Sequence, residues 1–171
     1  MEQSEFPITW IPLTYDPTQS IAVSACPGKI TGKKGSTKQL YFDLESLRRQ
    51  KISLIITLVT EIEIRSLEID DFNEQVEKFK FKHYTEAISD LSIPRTDRKI
   101  AIKKLLIRIM NEVNNKRNVL IHCNAGLGRS GTIAALLIKL MGVYSDPINQ
   151  VRKFRPGSIE TIEQEKFVNE F

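Results

Sequence analysis

Apolar residues along this chain follow two alternating rhythms, short β-like runs and longer stripes at helical spacing, which together predict an α/β domain. Strand-like pieces occur at ITWIPL (8–13) and SIAVSA (20–25). The segment CPGKITGKKGSTKQ (26–39) interrupts them with glycine, proline and lysine and reads as a solvated loop. A helix is predicted through YFDLESLRRQK (41–51), then a continuous β-branched run, ISLIITLV (52–59), of the kind that forms a strand buried on both faces. IDDFNEQVEKFK (69–80) reads as helix and FKHYTEA (81–87) as a strand, on which His83 receives no role. ISDLSIPRTD (88–97) is a loop stopped by Pro94.

The clearest helix follows. Ile102, Leu106, Ile109 and Val113 share one stripe, with Lys103, Lys104 and Arg108 left to face water. NVLIH (118–122) is a short strand, and TIAALLIKLMG (132–142) is apolar nearly all round, which predicts a central, buried helix. Amphipathic helices near DPINQVRKF (146–154) and IEQEKFVNEF (162–171) close the chain. With no repeat or linker in 171 residues, the expectation is one domain over 1–171, a central and mostly parallel sheet flanked by helices.

The stretch VLIHCNAGLGRSGT (119–132) carries the chemistry. A strand, a tight glycine turn and a helix in that order point successive backbone N–H groups into one small bowl. Such a nest at a helix N-terminus favours an anion. Arg129 adds a planar fork that can grip two phosphate oxygens. Cys123 lies at the base of the bowl, where the same amides and the helix dipole would stabilise its thiolate. A thiolate beneath a bound phosphate monoester is a nucleophile aimed at phosphorus. The plain structural alternative, a buried cysteine near a surface arginine, leaves the surrounding glycines and the apolar flanks without a reason.

A cysteine, five residues, an arginine and then serine or threonine, preceded by histidine, resembles the signature of cysteine-based protein tyrosine and dual-specificity phosphatases; here it reads HCNAGLGRS. The resemblance implies that Cys123 is transiently phosphorylated and that Asn124, Ala125, Gly126, Leu127, Gly128 and Arg129 form the phosphate-binding loop. It implies further that Ser130 hydrogen-bonds the sulfur and that His122 shapes the loop and favours the thiolate. A general acid is needed for the leaving alcohol or phenol. Asp90 in ISDLSIP resembles the family's acid-bearing loop, whereas Asp97 precedes the long helix and reads as its N-cap. In RPGSIETIEQEKFVNEF, Gln164 matches the glutamine that orients the hydrolytic water.

Taken with ITWIPL, SACPGK and LESLRRQKISLIITLVTEIEI, these segments resemble the kinase-associated phosphatase group of dual-specificity phosphatases over most of the chain. Asn124 and Ala125 depart from the Tyr-Gly pair of that group. The resemblance implies a protein-tyrosine-phosphatase-like fold, a phosphoprotein substrate with a protein kinase among the candidates, and no metal or other cofactor. No Asn-Arg-Tyr motif of the deep, tyrosine-specific pockets is present, so both phosphotyrosine and phosphoserine or phosphothreonine are expected substrates. Asn124 and Leu127 stand where phosphoinositide phosphatases place lysines, which counts against a lipid.

Composition narrows this little further. A net charge of +4 suits an anionic substrate without demanding nucleic acid. Two separated cysteines, Cys26 and Cys123, argue for a reducing compartment over a disulfide framework. The opening MEQSEFPITW has no apolar core of a signal peptide, and no run reaches a membrane span, so a monomeric cytoplasmic enzyme without membrane or nucleic-acid partners is expected. GKITGKKGST lacks the spacing and the Ser or Thr of a nucleotide P-loop. The rival readings are a catalytically weak phosphoprotein-binding module of the same fold and a rhodanese-like sulfur-transfer protein.

Overall fold

The computed structural model describes residues 5–171; residues 1–4, where the stretch read for a targeting signal begins, lie outside them. Five strands, β1 (Thr9–Pro12), β2 (Ser20–Ser24), β3 (Ile52–Thr57), β4 (Lys82–Thr85) and β5 (Asn118–His122), form one sheet in the order β1-β2-β5-β3-β4. Only β1 runs antiparallel to its neighbour; the other three pairings are parallel. The helices are α1 (Thr37–Arg49), α2 (Glu61–Ser66), α3 (Phe72–Lys78), α4 (Lys99–Asn114), α5 (Gly128–Met141), α6 (Pro147–Phe154) and α7 (Ile162–Glu170).

A parallel sheet needs cover on both faces, and the helices divide accordingly. α1 and α3 pack together over β3 and β4, while α4 packs on β5 and α5 on β2. The side of β4 that carries His83 meets Phe72 of α3, and the opposite side, at Tyr84, meets Arg108 of α4. α6 and α7 lean on α5. β5 therefore lies at the centre, and Val119, Leu120 and Ile121 are wholly buried. α5 is buried along its first eleven residues, Gly128 to Ile138. The stripe of α4, with Leu105 added, is buried as its spacing predicted, and burial of each such side chain stabilises by roughly 1.5–3 kcal/mol.

Three local details differ from the sequence reading. α1 starts at Thr37 because Ser36 caps it, its Oγ accepting the Gln39 N–H at 3.1 Å. α2 was not expected at all. It is held by a reciprocal capping box, in which Thr60 Oγ1 accepts from the Glu63 amide and the Glu63 carboxylate accepts from the Thr60 amide. Asp97 does not cap α4. It lies in a 3-10 turn, Thr96–Arg98, where its carboxylate is taken by Arg95 at 3.1 and 3.2 Å, and α4 begins after Arg98 with no side-chain cap.

No helix among the described residues is long and apolar enough to cross a membrane.

Candidate active site

β5 ends at His122, the chain turns through Cys123–Leu127, and α5 begins at Gly128. The turn is pressed against the exit of β2, where the Cys26 amide donates to the Asn124 carbonyl at 3.2 Å. Gly126 sits there with φ of +71°, and a Cβ on it would lie 2.2 Å from the Ser24 carbonyl oxygen. No side chain fits that position. Gly126→Ala is expected to destabilise the fold by about 3 kcal/mol, from the left-handed backbone and the clash together. Thermal unfolding checks this, and an unchanged midpoint would contradict the geometry.

Cations hold the outer side of the turn. Arg155 donates to the carbonyls of Gly126 and Ala125 and, at 2.7 Å, to Thr9 Oγ1; Lys29 Nζ reaches Asn124 Oδ1 at 2.5 Å. With those carbonyls occupied outside, the amides are left for the inside. The Gly126 N–H donates to Cys123 Sγ at 3.2 Å, and Cys123 is 2 % exposed. Cys123 thus lies at the floor of the bowl, under a backbone donor that favours its thiolate.

Arg129 is the largest fully buried side chain of the protein. Glu63 takes the end-on edge of its guanidinium, with Nη1 to Oε2 at 2.8 Å and Nη2 to Oε1 at 2.7 Å. The second Nη1 proton goes to the Ile88 carbonyl at 2.9 Å, and Nη2 also donates to Asp90 Oδ1 at 2.8 Å. Nε makes no hydrogen bond among the described residues. The side-on edge, Nε with Nη2, is therefore the one a phosphate can take, and Asp90 already rests on one of its two donors. Burial pushes the Glu63 carboxyl up, but the Arg129 fork and the Thr60 amide outweigh this and hold it below the ordinary carboxylate range.

Asp90, 61 % exposed in its side chain, is carried on a loop fixed at several points. Before it, the buried Glu86 receives both guanidinium arms of Arg98 at 2.8 and 2.7 Å. After it, the Ser92 carbonyl accepts from Gln164 Nε2 at 3.2 Å. Gln164 is fully buried; its Oε1 accepts the amides of Glu160 and Thr161, and its amide lies 3.0 Å from where a Cβ on Gly128 would be. The glutamine, the phosphate loop and the Asp90 loop thus meet at one place. The segment leading to it is braced by Arg152, which donates to the carbonyls of Ser158 and Ile159. Ile159, β-branched, is held at φ of +60°, a strained backbone beside the bowl.

Ser130 Oγ is buried without a partner, so in this state the sulfur's hydrogen bond comes from Gly126 and not from Ser130. His122 is wholly buried, and burial, then His83 and Arg129, push its imidazole down to about 3. It is neutral throughout the working range. Cys26 is a packed, free cysteine whose thiol is pushed up by burial.

Every candidate from the sequence except Asp97 lines or supports this bowl. Four supporting residues escaped the sequence reading: Glu63, Lys29, Arg155 and Thr57. Glu63 did leave a signal, since Thr60-x-x-Glu63 is a capping-box pattern directly after a strand. No cluster of three or more His, Cys, Asp or Glu side chains that could hold a metal occurs among the described residues.

Comparison with known proteins agrees with this geometry. Residues 25–168 match the family model described as "Swiss Army Knife protein, DSP-PTPase phosphatase domain". Cyclin-dependent kinase inhibitor 3 of Rattus norvegicus is 26 % identical over 175 residues, covering 99 % of this chain and 80 % of the relative. The Homo sapiens protein of that name is 27 % identical with the same coverage. Among solved structures, kinase-associated phosphatase with its catalytic-site cysteine replaced by serine superposes with a TM-score of 0.86, at 24 % identity, over 99 % of this chain and 96 % of the other. Tk-PTP in its active form gives 0.68 at 26 % identity, over 88 % and 89 %.

Proposed function

The chain belongs to the DSP-PTPase family of cysteine-based protein phosphatases, and from this premise we propose that it hydrolyses phosphoprotein monoesters through a phosphocysteine intermediate, as one catalytic domain. The observation that carries the reading is the Arg129 fork, fixed by Glu63 on one edge and turned by the other toward a bowl with Cys123 at its floor. A phosphate dianion takes Nε and Nη2 and displaces Asp90 from Nη2. The freed carboxyl stands beside the leaving oxygen.

The Cys123 thiolate attacks phosphorus as the ester P–O bond breaks, and Asp90 gives its proton to the departing alkoxide or phenoxide. Water then attacks the thiophosphate, gives a proton to Asp90, and the thiolate leaves with inorganic phosphate released. Ser130 Oγ, buried and unpartnered, is the donor available to the sulfur as it departs. Gln164 is the side chain closest to the loop for orienting that water. Catalysis is positioning and electrostatic holding of the phosphoryl group.

The shallow pocket expected without an Asn-Arg-Tyr loop suits phosphotyrosine and phosphoserine or phosphothreonine alike. Relatives named for cyclin-dependent kinase inhibition make a phosphorylated protein kinase the first substrate to try. A reducing, cytoplasmic setting and a monomer complete the reading.

The test is hydrolysis of a small aryl phosphate in EDTA. Wild type should turn over. Asp90→Asn should slow it roughly 100-fold. It should also lose the fall in rate toward high pH, because asparagine has no proton to give up. Inert wild type that binds phosphopeptides tightly would establish the capture-module reading instead, and thiosulfate turnover would establish the sulfur-transfer one.

A further inference from the structure

β3, β4 and β5 bring Thr57, His83 and His122 to one face of the sheet. Thr57 lies opposite His122 on β5 and opposite Thr85 on β4, so His83, two residues before Thr85, projects on the same side. Thr57 Oγ1 stands 2.8 Å from Nε2 of His122 and 2.8 Å from Nε2 of His83. Phe72 covers both rings, with centroids 5.5 Å from His122 and 5.9 Å from His83. The chain of contacts runs from a half-buried histidine on β4 to the residue before the nucleophile.

A hydroxyl has one proton, so Thr57 can donate to only one ring and must accept from the other. The two tautomers are therefore locked together. If Thr57 donates to His122, that ring carries its own proton on Nδ1, and His83 donates its Nε2–H to Thr57. If Thr57 donates to His83, His122 presents a bare Nδ1. That atom is buried without a side-chain partner, and the Cys123 backbone is the other polar group beside the ring. Only the first orientation gives the Cys123 main chain a donor.

We propose that Thr57 and His83 are positioning residues that fix His122 with its proton on Nδ1, toward the Cys123 main chain, and so favour the thiolate. The inference deepens the phosphatase reading and rests on Cys123 as nucleophile. A protonated His83 can only donate, so it enforces this orientation; burial lowers its pKa from the ordinary value. Glu77 of α3, Lys80 and Lys82 line the cleft beside His83, while Arg129 and Cys123 face His122 from α5 and the loop. His122 stays neutral, so His83 is the member that titrates.

Nitrogen-15 NMR of the histidine rings in the wild-type protein reads the tautomer directly. The expected result is a protonated Nδ1 and bare Nε2 on His122; a protonated Nε2 at every pH would overturn the proposal. The second measurement is the pH profile of Cys123 alkylation by iodoacetamide. Thr57→Val and His83→Phe should move it upward by about one pH unit, and Thr57→Ser should restore it. An unchanged profile in folded Thr57→Val would reduce Thr57 to packing. Neither readout needs turnover, so they stay readable if the wild-type enzyme proves inert toward phosphate esters, the result that would refute the phosphatase reading.

Discussion

Cys123→Ser is expected to abolish phosphate release while leaving phosphopeptide binding intact. Serine fills the site without a clash, and the Gly126 amide that donates to Sγ can donate to Oγ. What disappears is the nucleophile: a hydroxyl on the floor of this bowl has no neighbouring base to take its proton. His122 is spoken for by Thr57, and Asp90 lies across the bowl on Arg129. An alkoxide is also a far poorer leaving group than a thiolate in the second step. The loss should exceed roughly 1000-fold in kcat. Binding should hold or tighten, because the variant removes a negative charge from beneath the phosphate dianion while Arg129 and the loop amides remain. Calorimetry with a phosphotyrosine peptide and single-turnover phosphate release measure the two separately. A residual kcat within tenfold of wild type would remove Cys123 from the chemistry.

The strand–loop–helix unit was legible because both periodicities and the glycine spacing are local. β5, the Cys123–Arg129 loop and the buried α5 follow from residues close together in sequence. Asp90 and Gln164 were reached only through likeness to a family, since a loop aspartate or a helical glutamine carries no signal of its own. The support of the site was mostly invisible for a physical reason. Arg155 meets the loop carbonyls across 29 and 30 residues, and Thr57 meets His122 across 65, contacts set by sheet register and helix docking that no window displays. Glu63 meets Arg129 across 66 residues, yet its capping box marked its place in α2. Asp97 shows the converse. A good cap residue before a helix was diverted by a neighbouring arginine, and propensity yielded to a contact two residues away.

Arg129→Lys and Glu63→Gln test whether these two residues act as one device, and the second is the more informative. Lysine keeps the charge but cannot occupy both Glu63 and a phosphate with one planar group, so kcat/KM should fall by about 1000-fold. Glu63→Gln leaves the guanidinium in place but with Asp90 as its one remaining carboxylate. Asp90 should then be held more tightly at Nη2, where the phosphate must bind, and KM should rise. Adding Asp90→Asn to Glu63→Gln should recover much of that affinity, although kcat stays low for want of the acid. Stability follows the same contact. Because Arg129 is buried, removing its anionic partner should cost about 3 kcal/mol at neutral pH. The Glu63 carboxyl is held below its ordinary range in the folded protein, so the native state binds fewer protons there than the unfolded chain does. Its contribution is complete above the ordinary carboxylate range and is lost as pH falls through the lowered value. Wild type and Glu63→Gln should therefore differ at pH 7 and converge in acid, as followed by urea unfolding across pH. A gap that persists in acid would mean that packing, not the ion pair, holds Glu63 in place, and additive losses in a double-mutant cycle with Arg129→Lys would show that the two residues do not work as a unit.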